Sequence, residues 1–261
     1  DQLYFEPLAL SDVLNVIEKE QVDGVMVQFG GQTAINLAAK LEEMGVQIYG
    51  TSVESIDLVE DRDLFYQMLK KLDIPHIPGI SVNSEEEAFE AANKLGYPVL
   101  VRPSYVIGGR GMVVLNHPDE LKDYLDETTF SYPLLVDKYI SGMEIEVDAV
   151  CDGNHVLVPG IFQHIERAGV HSGDSMAIFP APGLTKQQKE IVTSYTEKIA
   201  RAMKAKGLIN IQLVIADNQI YVLEVNPRAS RTVPIVSKIT GTQMVELAVQ
   251  AQLGGKLTNT G

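Results

Sequence analysis

The chain has 261 residues, 45% of them hydrophobic, which is enough for one large or two ordinary domains with buried cores. Its 21 Lys and Arg against 35 Asp and Glu leave a formal net charge of -14, which argues against a nucleic-acid surface, so any bound phosphate must be met locally by a few cations and backbone amides. The single cysteine, Cys151, excludes an internal disulfide and suits a reducing cytoplasm, and no apolar run approaches the roughly 20 residues that span a bilayer. We therefore expect a soluble cytoplasmic protein, without a membrane or nucleic-acid partner. The chain starts without Met, close to a helix signal at Ser11-Asp12, which reads as a piece of a longer polypeptide.

Residues 11–59 alternate helix and strand patterns: an amphipathic stretch Asp12–Glu20, an apolar strand Gly24–Val27, a glycine loop, a helix Ala34–Met44 and a strand Val46–Gly50. That order predicts part of a parallel α/β sheet, too short for a complete doubly wound domain. Gly30-Gly31-Gln32-Thr33 lies between strand and helix; it reads either as an anion-attracting helix start or, as we favour, a tight turn. A helix Glu60–Leu72 follows, closed by the Ile74-Pro75 and Pro78-Gly79 breaks typical of a linker. Ser84 with Glu87 forms a capping-box pattern opening a helix to Leu95.

Strand patterns dominate beyond it: Tyr97–Arg102, Gly111–Leu115, Leu134–Tyr139, Met143–Val150, His155–Phe162 and Met176–Phe179, with helices around Pro118–Leu125 and Thr185–Lys204. Successive strands with helices set apart predict an α+β arrangement of antiparallel sheets. Arg102 ends a strand and leads into Pro103-Ser104-Tyr105-Val106-Ile107-Gly108-Gly109-Arg110, where glycines would let backbone N–H groups approach phosphate beside a fixed cation. A plain hairpin loop reads equally well. Asp137–Ile140, a tight Ser141-Gly142 turn and the alternating acids Glu144, Glu146 and Asp148 read either as a solvated strand face or as a segment running along a nucleotide. The stretch His164–Ser175 concentrates ionisable side chains between two apolar strands. With no cysteine beside its histidines, it suits a loop gripping a nucleotide or anion better than a zinc site.

Glu224-Val225-Asn226-Pro227-Arg228 ends the readable chemistry. Residues i and i+2 of a strand share a face, so Glu224 and Asn226 put a carboxylate and an amide oxygen side by side, hard donors that suit Mg2+. Pro227 stops the ladder and leaves Arg228 free to meet an anion. Asn210–Ala216 reads as the partner strand. A three-residue Asp217-Asn218-Gln219 loop would set Gln212 opposite Glu224, whereas a two-residue loop would put it on the other face. The plain alternative is the solvated face of an edge hairpin.

Together, Gly30–Thr33, Arg102-Pro103-Ser104 with Gly108-Gly109, the His164–Ser175 loop, Gln212 and Glu224–Arg228 resemble the ATP-grasp fold, and specifically the carbamoyl-phosphate synthase large subunit, over essentially all 261 residues. Val27–Gln32, Gly50-Thr51-Ser52, Arg102–Arg110, Ala168–Asp174 and Arg231–Pro234 are similar to its second, carbamate-phosphorylating half. The resemblance implies a partial pre-ATP-grasp domain at 1–59 and an ATP-grasp domain at 60–261. It implies ATP and Mg2+ or Mn2+, the metal on Gln212, Glu224 and Asn226, and phosphate contacts from Arg102, Gln212 and Glu224. Lys138, Ile140 and Glu144 would line the adenosine, with Gly169, Val170, His171 and Ser172 closing over it, while Arg228 and Arg231 would hold carbamate or the transferred phosphoryl group. Arg62 resembles a further ATP-side arginine. Lys138 stands where relatives carry His, so only its neighbouring backbone role carries over. The implied product is carbamoyl phosphate for pyrimidine or arginine synthesis, with the rest of the large subunit and a glutamine amidotransferase small subunit as partners. Another ATP-grasp ligase such as a biotin carboxylase, the bicarbonate-phosphorylating half, or an inert nucleotide-binding module are the competing readings.

Overall fold

The computed structural model describes residues 2–103, 112–127, 132–168 and 175–258. At the N-terminal end, α1 (Leu10–Glu20) packs with α2 (Gly31–Ile35), α3 (Ala38–Glu43) and α4 (Val53–Glu60) around Val27, Ile35, Leu41, Ile48 and Ile56. The two expected strands meet only as one parallel bridge, Val25 with Ile48, closed by Val25 N–H to Gln47 O at 2.8 Å and Tyr49 N–H to Val25 O at 2.9 Å. The expected helix over 34–44 is divided at Asn36-Leu37, and the helix expected at 60–72 is α5 (Arg62–Lys71), with α4 just before it. Asp61 ends α4 and caps α5, its carboxylate accepting from Leu64 N–H at 2.9 Å.

A four-stranded antiparallel sheet runs in the order β1 (Gly79–Val82), β4 (Leu134–Lys138), β2 (Val99–Pro103), β3 (Val113–Leu115). Helices α6 (Glu85–Leu95) and α7 (Pro118–Glu127) cover one side of it, burying Ala88, Ala92, Val99, Val101, Leu121 and Leu134. Ser84 caps α6 through Glu87 N–H, but the Glu87 carboxylate takes the N–H of Asn83 at 2.6 Å rather than that of Ser84, so the box is displaced by one residue.

The larger sheet has the order β10 (Gln219–Asn226), β9 (Lys206–Ala216), β5 (Met143–Asp152), β7 (Ile161–Arg167), β8 (Ala177–Ile178), with β6 (Val156–Leu157) beside β5. The strand expected over 155–162 is thus two strands. One face of this sheet rests on α8 (Lys186–Ala202) and α5, burying Ile145, Val147, Ile209, Ile211, Leu213, Val192 and Ile199. At one end of the other face lie α9 (Val233–Thr240) and α10 (Met244–Gln252), over Val150, Leu208 and Phe162. Consecutive strands β4 and β5 do not pair as the tight Ser141-Gly142 turn suggested. They belong to different sheets, and residues 139–142 cross between them. Among the described residues no helix is long and apolar enough to cross a membrane.

Candidate functional site

The exposed edge of the site is the β9–β10 hairpin. Its loop is two residues, Asp217 and Asn218, both left-handed at φ 49 and 62, not the three expected. By itself that loop would pair Gln212 with Leu223. A bulge between Val222 and Glu224 adds one residue to β10, and Gln212 faces Glu224 after all. The next pair on the same face is Asn226 with Asn210.

Register extends these pairs across the sheet, with Glu146 beyond Gln212, Asp148 beyond Asn210, and Glu144 opposite Val214. The alternating acids are therefore not a solvated face: Glu144, Glu146 and Asp148 are 4%, 2% and 0% exposed. Carboxylates at that depth need donors. Asn210 Nδ2 serves both Glu146 Oε1 at 2.8 Å and Asp148 Oδ1 at 3.0 Å, while Ser230 Oγ and Thr232 Oγ1 donate to Asp148 at 2.7 and 2.5 Å. Buried His164 lies between two acids, Nε2 3.1 Å from Glu146 and Nδ1 3.5 Å from Glu144. Burial pushes Glu144 up to about 7, with Glu224 and Glu146 adding repulsion against the opposing pull of His164 and Arg231. Burial also acts to raise Glu146, but hydrogen bonds from His164 and Asn210 and the charge of Arg231 outweigh it and hold this carboxyl below its ordinary value.

Asn226 meets a neighbour through each end of its amide. Its Nδ2 donates to Glu224 Oε1 at 3.0 Å, and its Oδ1 accepts from Arg228 Nη2 at 3.0 Å. The amide oxygen expected to face a metal accepts one hydrogen bond from the arginine and keeps a second lone pair for a metal. Gln212, Glu224 and Asn226 still supply one carboxylate and two amides on one sheet face, a sparse oxygen set that fits Mg2+, which takes its remaining ligands from phosphate and water. Among the described residues no cluster of three or more His, Cys, Asp or Glu side chains is arranged to hold a metal by itself. Arg231 lies at the start of the run into α9, its Nη2 3.9 Å from Glu146 Oε2.

The other cations stand at the small sheet. Arg102 Nε is 3.7 Å from Asp137 Oδ2, and Arg62 pairs with Asp137 Oδ1. Asp137, 6% exposed, therefore gathers an arginine from α5 and one from β2, a role the sequence reading missed because nothing local marks it. A Cβ at Gly79 would collide with that pair, so the glycine after Pro78 makes room for it. At the crossing between sheets, Ile140 packs with Ile77, Ala168, Val214, Tyr221 and Leu223, an apolar patch beside Glu144. Lys138 Nζ donates to Gly96 O at 2.8 Å and Tyr97 O at 3.2 Å, so its ammonium is spent on backbone. Gly108, Gly109, Gly169, Val170, His171 and Ser172 lie outside the described residues, as do Tyr105 and Arg110.

Residues 61–260 match the family described as carbamoyl-phosphate synthase L chain, ATP binding domain, and residues 1–58 match the carbamoyl phosphate synthase preATP-grasp domain. The chain belongs to this carbamoyl-phosphate synthase L-chain family. It is a mixed α+β ATP-grasp fold with a pre-ATP-grasp segment. Among solved structures, the biotin carboxylase domain of Hydrogenobacter thermophilus 2-oxoglutarate carboxylase, crystallised with MgADP, ADP and bicarbonate, is similar with a TM-score of 0.82 at 22% identity, over 99% of this chain and 60% of that one. Campylobacter jejuni biotin carboxylase, in complex with β,γ-ATP, gives 0.83 at 22% identity over 97% and 59%. Thermotoga maritima N5-carboxyaminoimidazole ribonucleotide synthetase gives 0.74 at 15% identity over 97% and 64%. The chain thus spans about 60% of the length of the biotin carboxylases it resembles, and at these identities the likeness is one of fold. Family and fold together place the chain among ATP-grasp domains.

Proposed function

We propose that this chain carries the phosphoryl-transfer site that makes carbamoyl phosphate from ATP and carbamate. The observation that carries the reading is the row Gln212, Glu224, Asn226 and Arg228: oxygen donors for a metal–phosphate complex ending in a fixed guanidinium. Membership of the carbamoyl-phosphate synthase L-chain family supports carbamate, a small carboxylate-type anion, as the acceptor.

ATP would lie between the sheets, its base against the apolar patch of Ile140, Ile77 and Val214 and its ribose near Glu144. Arg102, oriented by Asp137, would meet phosphate oxygens, and Arg228 with Arg231 would hold the acceptor. Mg2+ held by Gln212, Glu224 and Asn226 would neutralise phosphate charge when bound. A carbamate oxygen attacks the γ-phosphorus, the bond from that phosphorus to the β,γ-bridging oxygen breaks, and ADP leaves with the electron pair. Carbamate is already anionic, so no side chain must take a proton at the attacking oxygen. Catalysis then rests on positioning and charge neutralisation. The amine donor would come from a separate glutamine amidotransferase subunit.

The similarity to biotin carboxylases favours a second reading, in which bicarbonate is the acceptor. ATP formation from ADP and carbamoyl phosphate separates the two. The carbamate reading expects Mg2+-dependent ATP synthesis that Glu224→Gln lowers by a factor on the order of 100 or more. Near-normal synthesis in Glu224→Gln, or ATPase activity driven by bicarbonate with no use of carbamoyl phosphate, would overturn it.

A further inference from the structure

Gln32 sits in the first turn of α2, 196 residues from Arg228 in sequence, yet its Oε1 accepts the Arg228 Nε–H at 3.1 Å. Its Nε2 donates to Glu60 Oε1 at 3.0 Å and to Asn36 Oδ1 at 3.0 Å. A guanidinium only donates and a carboxylate only accepts, so a single orientation of the Gln32 amide satisfies both neighbours. Two further bonds fix the plane of Arg228: Nη2 to Asn226 Oδ1 at 3.0 Å and Nη1 to Ala229 O at 3.4 Å. The main chain is tied to the same segment, because Ala229 N–H donates to Gln28 O at 2.9 Å. Gln28 is itself buried and donates through Nε2 to Thr51 Oγ1 and Lys206 O, so the anchor is rigid on both sides.

We propose that Gln32, oriented by Glu60, is a positioning residue for Arg228. The N-terminal segment thereby sets the pose of the guanidinium that meets the acceptor anion. Arginine loses its bidentate advantage when its fork can rotate, and Nε is the nitrogen that fixes the fork's direction from its root. The inference deepens the proposed function and rests on its assignment of Arg228 to the acceptor.

The test reads geometry and turnover separately. In protein carrying 15N-arginine, the Arg228 Nε–H signal is identified by its loss in Arg228→Lys, and its exchange with water is measured. Gln32→Ala is expected to speed that exchange by about tenfold or more. It should lower kcat/KM for carbamoyl phosphate in ATP formation by on the order of tenfold, with KM for ADP and the melting shift produced by MgADP unchanged. Gln32→Glu alone opposes Glu60 and should also lose protection. Combined with Glu60→Gln, the introduced carboxylate accepts from Arg228 while the introduced amide donates to it, and both readouts return toward wild type. Unchanged Nε–H protection in Gln32→Ala, or no recovery in the exchanged pair, overturns the proposal. Wild-type protein that makes no ATP from carbamoyl phosphate refutes the functional reading instead, and the exchange measurement still decides the positioning.

Discussion

The two faces of the six-stranded sheet are built from alternate residues of the same strands, yet they obey different rules. On the α8 side, Ile145, Val147, Ile209, Ile211 and Leu213 are each 0% exposed and fill a dry core. On the other side, Glu146 and Asp148 are nearly as deep but are held by hydrogen bonds from Asn210, His164, Ser230 and Thr232, while buried Glu144 has, among the described residues, only His164 Nδ1 at 3.5 Å. Depth alone therefore does not separate scaffold from site. What separates them is whether burial is made favourable by apolar contact or tolerated through hydrogen bonds.

The largest expected effect is on the dry face. Leu213→Ala should cost about 2–5 kcal/mol in denaturant unfolding by leaving a cavity, while MgATP binding per folded molecule stays as it was. A weaker response there would mean that the two faces are not as different as their packing suggests. Next comes Glu144. Its folded pKa of about 7 lies above the ordinary carboxylate value of 4.5, so the folded state holds the proton longer. In metal-free protein that contribution is present in acid and lost as pH rises from about 4.5 to 7, and Glu144→Gln should flatten the fall, a difference of at most about 3 kcal/mol. Equal pH slopes in the two proteins would remove Glu144 as the cause. Asn210→Ala strips donors from both Glu146 and Asp148 and should cost about 1–3 kcal/mol in the same unfolding experiment. The smallest effect belongs to the hairpin turn: Asn218→Val, β-branched at φ 62, should cost about 1–2 kcal/mol, whereas Asn218→Gly should change little. Equal stabilities for the Val and Gly variants would contradict the two-residue turn.

The hairpin shows how a sequence reading can reach a pairing by the wrong route. The facing of Gln212 and Glu224 was expected from a three-residue loop, but the loop has two residues and Leu223 supplies the missing one as a bulge. A bulge leaves no local signature when the extra residue is an ordinary apolar one, so loop length and bulge were indistinguishable in the sequence. The crossing at 139–142 failed differently. A Ser-Gly pair between strand patterns reads as a hairpin, and only the pairing of β4 with β1 and β2, and of β5 with β9, sends the two strands to separate sheets.

By itself the sequence determined which side chains share a face, where α6 and α8 begin, and the family to which the oxygen-rich row belongs, because alternation, caps and motif spacing are local properties. Tertiary structure alone decided how deep the acids lie, which amide atom of Asn226 meets Arg228, that Asp137 joins Arg62 to Arg102, and that Gln32 holds Arg228. Those depend on groups far apart in the chain whose donors and acceptors meet only after packing. A buried carboxylate has no distinguishing mark until its partners close around it.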